Sequence, residues 1–254
     1  GIRKPGTTNI YYLITVGTDK IAYYHEINIT TGQVTSVNNP IDATSGYGYG
    51  MALIDDQSSI ASSMLYLRKF NGVDSTSIIT VPITTSGFGT PTVAATFKSK
   101  DANGRGEMQV ATDGTKLAIA NQKGSYAWFS NQGEIRVYDL DVNHDLTGLN
   151  TTYSTGNFTR LSSIDFSPTS EHIYYNQQAT LLSFPPSANN GQNVKKLNIT
   201  TLHDTVVVAN ALGNVRRGKD DNMYVALNTQ SNLKKISNPD ASFSVSNYTF
   251  ATSP

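Results

Sequence analysis

Residues Met108–Leu140 read MQVATDGTKLAIANQKGSYAWFSNQGEIRVYDL. A short apolar run is closed by a T-D-G turn. A second run, KLAIAN, then leads through a polar loop to a third, GEIRVYDL. Asp accepts a backbone N–H and Gly takes a positive φ, so Asp113-Gly114 marks a tight turn between antiparallel strands. No helical period runs through the segment, and its apolar runs are strand-sized and interrupted by Gly, Asn and Asp.

The unit recurs on both sides. Downstream come SSIDFS-PTSE-HIYYN (162–176) and GNVRRG-KDD-NMYVALN (213–228), with turn positions Thr112, Pro168 and Lys219 spaced 56 and 51 residues apart. Two weaker copies lie upstream: Met51–Ile54 with MLYLRKF and STSIITVPI, and KPGTTNIYYLITV with KIAYYHEINI. A period near 51 residues made only of strands and turns predicts an all-β chain, a β-propeller of four-stranded antiparallel blades. About five blades fit, near 1–45, 46–100, 101–157, 158–209 and 210–254 of one domain. The alternatives are a β-sandwich with similar hairpins and a β-solenoid. Strand alternation places Leu117 and Ile119 on one face of their blade and Ala118 on the other.

Composition agrees. Of 254 residues, 30 are Thr, 25 Ser and 23 Asn, a polar uncharged surface unlike that of a helical bundle. Nineteen basic residues balance nineteen acidic ones, which argues against nucleic acid or an anionic membrane as partner. There is no cysteine, and so no disulfide, thiol nucleophile or thiolate ligand. No apolar run is long enough to span a bilayer as a helix.

GEMQVATDGTKLAIAN followed by GEIRVYDLD resembles the S-P-D-G-x-K-L repeats of secreted and surface-exposed β-propeller proteins of Bacteroidetes, associated with gliding motility and type IX secretion. KPGTTNIYYLITV, GNVRRGKDDNMYVAL and ISNPD (Ile236–Asp240) resemble further elements of that family. The resemblance implies an extracellular or cell-surface home, about seven blades in a complete member, and a signal peptide outside this stretch. Pro168-Thr169-Ser170 and Lys219-Asp220-Asp221 depart from the Asp-Gly turn, which is a structural motif.

Chemistry-bearing patterns are sparse. Asp139, Asp141, Asn143 and Asp145 place oxygens at alternate positions, a calcium candidate. Counted from Asp139, however, an EF-hand loop lacks its Gly and Glu, since His144 and Asn150 stand there. An ordinary turn is the alternative, and no other cofactor is indicated. His25, His144, His172 and His203 form no H-x-H pair and are expected at different radii, without convergence. Glu26, Asp55, Glu107, Glu134, Asp165 and Glu171 read as strand-edge solvation. Arg216-Arg217 reads as charge at a turn, or as a contact for an anionic ligand. The aromatics Tyr126, Trp128 and Phe129, in a long loop between second and third strands, are candidates for binding on the face around the axial entrance. Tyr47 and Tyr49, flanked by glycines in SGYGYG, are further candidates as mobile contacts.

The function these features favour is a non-catalytic extracellular or cell-surface module binding a protein or glycan. The alternative is a secreted carbohydrate-active enzyme, a lyase or glycosidase, with a scattered acidic site. An acid cluster at the axial entrance would favour the second reading, and only aromatic and amide groups there the first.

Overall fold

The computed structural model describes residues 1–55, 63–72, 74–99, 106–123, 132–157, 159–179, 192–211, 213–227 and 232–248. They form five antiparallel sheets in tandem. Blade 1 contains β1 (Ile2–Arg3), β2 (Ile10–Val16), β3 (Ala22–Asn28) and β4 (Gln33–Asp42). Blade 2 contains β5 (Tyr47–Ile54), β6 (Ser63–Phe70), β7 (Ser75–Thr84), β8 (Gly87–Phe88) and β9 (Thr92–Lys98). Blade 3 has β10 (Met108–Val110), β11 (Lys116–Lys123), β12 (Gln132–Leu140) and β13 (Leu146–Asn157). Blade 4 has β14 (Thr159–Phe166), β15 (His172–Ala179), β16 (Asn193–Asn198) and β17 (Asp204–Val208). Blade 5 has β18 (Gly213–Arg217), β19 (Met223–Leu227), β20 (Leu233–Ser237) and β21 (Ser244–Tyr248).

Strands follow chain order within each sheet, as tight turns between neighbours require. Blade 2 departs at its rim, where β8 and β9 share the fourth place beside β7. The break falls at Pro82, which has no N–H to offer an outer strand. β9 pairs as far as Thr80, and β8 resumes at Ile83.

The turns from first to second strand show how the repeat survives sequence drift. Gly114 has φ +70°, Ser170 +63° and Asp221 +55° at the third residue after each turn begins. In all three that residue donates its N–H back to the first, Ala111, Ser167 or Gly218. The left-handed conformation is kept where glycine is not, at a local cost on the order of 1 kcal/mol.

The contacts divide the chain into two compact units, residues 1–105 with 140–146, and residues 106–139 with 147–254. In each, the apolar core lies between successive blades. In unit 1, Ile2, Tyr12 and Ala22 of blade 1 pack with Tyr47, Leu65, Val81 and Ile83 of blade 2. In unit 2, Ala118, Ala120, Ile135 and Val137 of blade 3 meet Ile164, Phe166, Ile173 and Tyr175 of blade 4. Leu117 and Ile119 alternate with those alanines and are fully buried on the other face of β11. Tyr174, next to Tyr175, joins Val215, Met223 and Val225 of blade 5 instead. Successive side chains of one strand thus serve two different cores, so β11 and β15 are apolar on both faces.

Candidate functional site

The first strands of blades 3, 4 and 5 lie side by side in unit 2 and are joined by side chains rather than by a backbone ladder. Glu107, just before β10, accepts the N–H of Ile164 on β14 at 3.1 Å. Asp165 accepts the N–H of Arg217 on β18 at 2.8 Å, and Phe166 N–H at 2.8 Å with its other oxygen. Ser163 Oγ accepts the Val215 N–H at 3.0 Å. Each acceptor meets a donor one blade further on, so backbone groups that no strand pairs are still satisfied.

The same edge carries charge. Arg216 forms a bidentate pair with Glu107, Nη1–Oε2 2.9 Å and Nη2–Oε1 2.6 Å, and donates to the Val215 carbonyl at 2.8 Å. A forked guanidinium–carboxylate pair is the strong form of this interaction. Burial pushes the Asp165 carboxyl above its ordinary value, although both backbone N–H bonds and both arginines pull the other way. The result is a partly accessible acid beside a fixed cation.

This corrects two sequence expectations. Glu107 and Asp165 are not strand-edge solvation; they bridge blades. Arg216 and Arg217 sit on β18 rather than at a turn, and the Arg216 guanidinium is tied to Glu107. The missed signal is positional. Gln109, Asp165 and Arg216 stand second before the start of each first turn, so one polar place repeats with different chemistry in each blade.

The two tyrosines of SGYGYG diverge. Tyr47 is 1% exposed in the unit 1 core, donating to Asp42 at 2.5 Å, so it is fixed rather than mobile. Tyr49 is 61% exposed, with the Lys20 ammonium 4.8 Å from its ring centre. Gly46 enters this strand at φ +109°, where a side chain would press on the Phe70 carbonyl. Tyr126, Trp128 and Phe129 lie outside the described residues.

Asp141 builds a turn, its Oδ1 accepting the N–H groups of Asn143 at 2.8 Å and Asp145 at 2.9 Å. Asp139 accepts both its contacts from Asn150 Nδ2, at 3.0 and 2.8 Å, and pairs with Lys116. Among the described residues no group of three or more His, Cys, Asp or Glu is placed to hold a metal ion.

The histidines hold a surprise. His172 and His203 line one cleft of about 510 Å³ with Lys196, Asn198 and Phe243. Register explains the convergence that sequence spacing hid. His172 pairs with Asn198 across β15 and β16, and the Asn198 N–H bonds the His203 carbonyl in the next hairpin.

No protein-family model matches the chain, and no curated protein matches it by sequence. Solved structures do. A periplasmic gluconolactonase of Pseudomonas aeruginosa matches at TM-score 0.61 and 11% identity, over 96% of this chain and 69% of that one. An alpha-L-arabinofuranosidase of Fusarium graminearum matches at 0.51 and 10%, over 97% and 83%. A puromycin-hydrolyzing peptidase of Mycobacterium tuberculosis matches at 0.52 and 9%, over 94% and 38%, so the chain spans little more than a third of it. The likeness is one of fold. It is a propeller-type fold that both enzymes and scaffolds use.

Proposed function

We propose that this chain is a propeller of a secreted or cell-surface carbohydrate-active enzyme, working by lyase-type chemistry on an acidic glycan. The observation that carries this reading is the inner edge of unit 2, with Asp165 drawn upward by burial beside Arg216 and Arg217. A glycosidase needs two working carboxyl groups. Here Glu107 is committed to Arg216 and to the Ile164 N–H, which leaves one. Elimination from a uronate needs one base and one cation. Arg217 would neutralise the sugar carboxylate, while Asp165 takes the proton from the adjacent carbon. That electron pair forms the C=C bond, the glycosidic C–O bond breaks, and the departing oxygen gains a proton. A base whose pKa is raised toward the working pH suits such a transfer. Two of the matching folds are named for sugar-derived substrates, which accords with this class. The extracellular setting rests on the Bacteroidetes-type repeat, the lack of cysteine and the polar uncharged surface.

Incubation with polyuronates should release unsaturated products, and Asp165→Asn should abolish them in a protein that still folds, though less stably, because the amide can accept only one of the two backbone N–H groups. Absence of turnover on every polyuronate would overturn the enzymatic reading. A second reading, a non-catalytic module binding a protein or glycan, draws on exposed Tyr49 capped by Lys20. It predicts glycan retention that Tyr49→Ala weakens and Asp165→Asn leaves alone.

A further inference from the structure

The cleft lies between the third-to-fourth turns of blades 4 and 5, with His172 at the start of β15, and shares no residue with the inner-edge cluster. Its polar groups are unbalanced. The amide oxygen on its wall and the nearby Asp240 carboxylate are already engaged. Asn198 Oδ1 takes the N–H groups of Thr200 at 3.0 Å and Thr201 at 2.8 Å, and Asp240 takes Thr169 N–H at 3.2 Å and its hydroxyl at 2.6 Å.

The donors are not used up in the same way. Lys196 Nζ gives one described bond, to the Ala241 carbonyl at 3.2 Å, from an ammonium with three protons. Asn198 Nδ2 reaches only within 3.4 Å of His172 Nε2. Buried His172 Nδ1 makes no hydrogen bond, standing 3.5 Å from Asp240 Oδ1. Burial lowers the pKa of both His172 and Lys196, with Lys196 adding to the effect on His172, while Asp240 and Glu171 pull the other way. Phe243 adds an aromatic face, with the Lys196 ammonium 5.9 Å from its centre.

A hollow with Lys196 and Asn198 on its wall, no carboxylate among its lining residues and one flat apolar side fits a ligand of matching character. We propose that this cleft binds the carboxylated ring of an acidic saccharide, a hexuronate, with Lys196 and Asn198 on the carboxylate and Phe243 against the ring. The site stands independently of the inner-edge reading, because it shares no residue with it.

Calorimetric titration with glucuronate, glucose and acetate tests it. Glucuronate should bind, and the other two should bind at least about tenfold more weakly, since each lacks half of the match. Lys196→Met should cost about tenfold in glucuronate affinity at unchanged melting temperature, and Phe243→Ala about tenfold with some loss of stability, because that ring also packs on the core between blades 4 and 5. Should Lys196→Met fail to fold, His203→Gln and Phe243→Ala carry the test. Asp165→Asn should leave this binding intact while removing turnover, so the two proposals fail separately. Acetate binding as well as glucuronate would reduce the site to a simple anion contact and overturn the saccharide. No binding of glucuronate, or binding indifferent to Lys196 and Phe243, would overturn the site itself.

Discussion

Blades 1 and 2 in unit 1, and blades 3 to 5 in unit 2, solve one packing problem with different materials. The blade 1–blade 2 core is aromatic. Tyr12, Tyr24 and Phe88 meet with ring centres 4.6 to 5.3 Å apart, and Lys4–Glu26 is a half-buried ion pair within blade 1. Unit 2 draws Glu107, Asp165, Arg216 and Ser163 in among its first strands. Charge in such a place costs desolvation that an apolar replacement would avoid. Unit 1 buries charge as well, Arg68 of blade 2 being 1% exposed and donating to Ser99, but in unit 2 the charged groups join successive blades. The inner edge of unit 2 is therefore where a role other than packing should be sought.

The largest expected effect breaks unit 1 at its aromatic centre. Tyr12→Ala should cost about 3–5 kcal/mol in a urea melt, as loss of a buried ring does. If that loss stays below about 1 kcal/mol, blade 1 is not held by this core. Glu107→Gln comes next. It leaves the Arg216 fork without its charge partner and should cost about 1–3 kcal/mol. Glu26→Gln, which loses a single contact to Lys4 rather than a fork, should cost less than about 1 kcal/mol. Equal losses would erase the contrast between the units.

A third test compares two carboxylates of opposite sign. Burial disfavours the charge of Asp42, but hydrogen bonds from Thr44, Tyr47 and Lys69 outweigh it and hold the group below the carboxylate range. Its contribution is therefore present above the unfolded carboxylate pKa and lost as pH falls. Asp165, raised by burial, contributes below the unfolded value and loses that contribution as pH rises through its folded value. Melting temperatures against pH should consequently show Asp42→Asn flattening the acid limb. Asp165→Asn should remove a decline on the side toward neutral pH. Curves for both variants parallel to the parent would refute the assignment.

The smallest effect concerns a drifted turn. Ser170 holds φ +63° with a buried hydroxyl that has no hydrogen-bond partner. Ser170→Gly relieves both and should raise stability by up to about 1 kcal/mol. A loss in the same melt would mean that the serine makes a favourable contact of another kind.

The repeat was legible because strand runs and turn residues are local, and Asp113-Gly114 announced the register for the whole chain. The alternation at Leu117–Ala118–Ile119 followed from pleat geometry alone. What lay beyond reach depended on contacts across blades. Glu107 and Arg216 are 109 residues apart in sequence, and no local pattern relates them. His172 and His203 were expected apart because blade position was assigned from spacing, whereas the β16–β17 turn folds back beside Asn198. Tyr47 and Tyr49 looked alike, and alternation alone would give residues two apart one face, but the register of β5 on β6 shifts between Tyr47 and Met51. Tyr47 goes to the core and Tyr49 to solvent.

The bridges from Glu107, Ser163 and Asp165 also divide the backbone amides into two populations. Amides inside a sheet, such as those pairing β11 with β12, open to deuterium only when their own blade loses its ladder. Those of Ile164, Val215 and Arg217 depend on oxygens belonging to the neighbour. They become exchangeable when two intact blades merely part, giving unit 2 three built-in reporters of separation without unfolding.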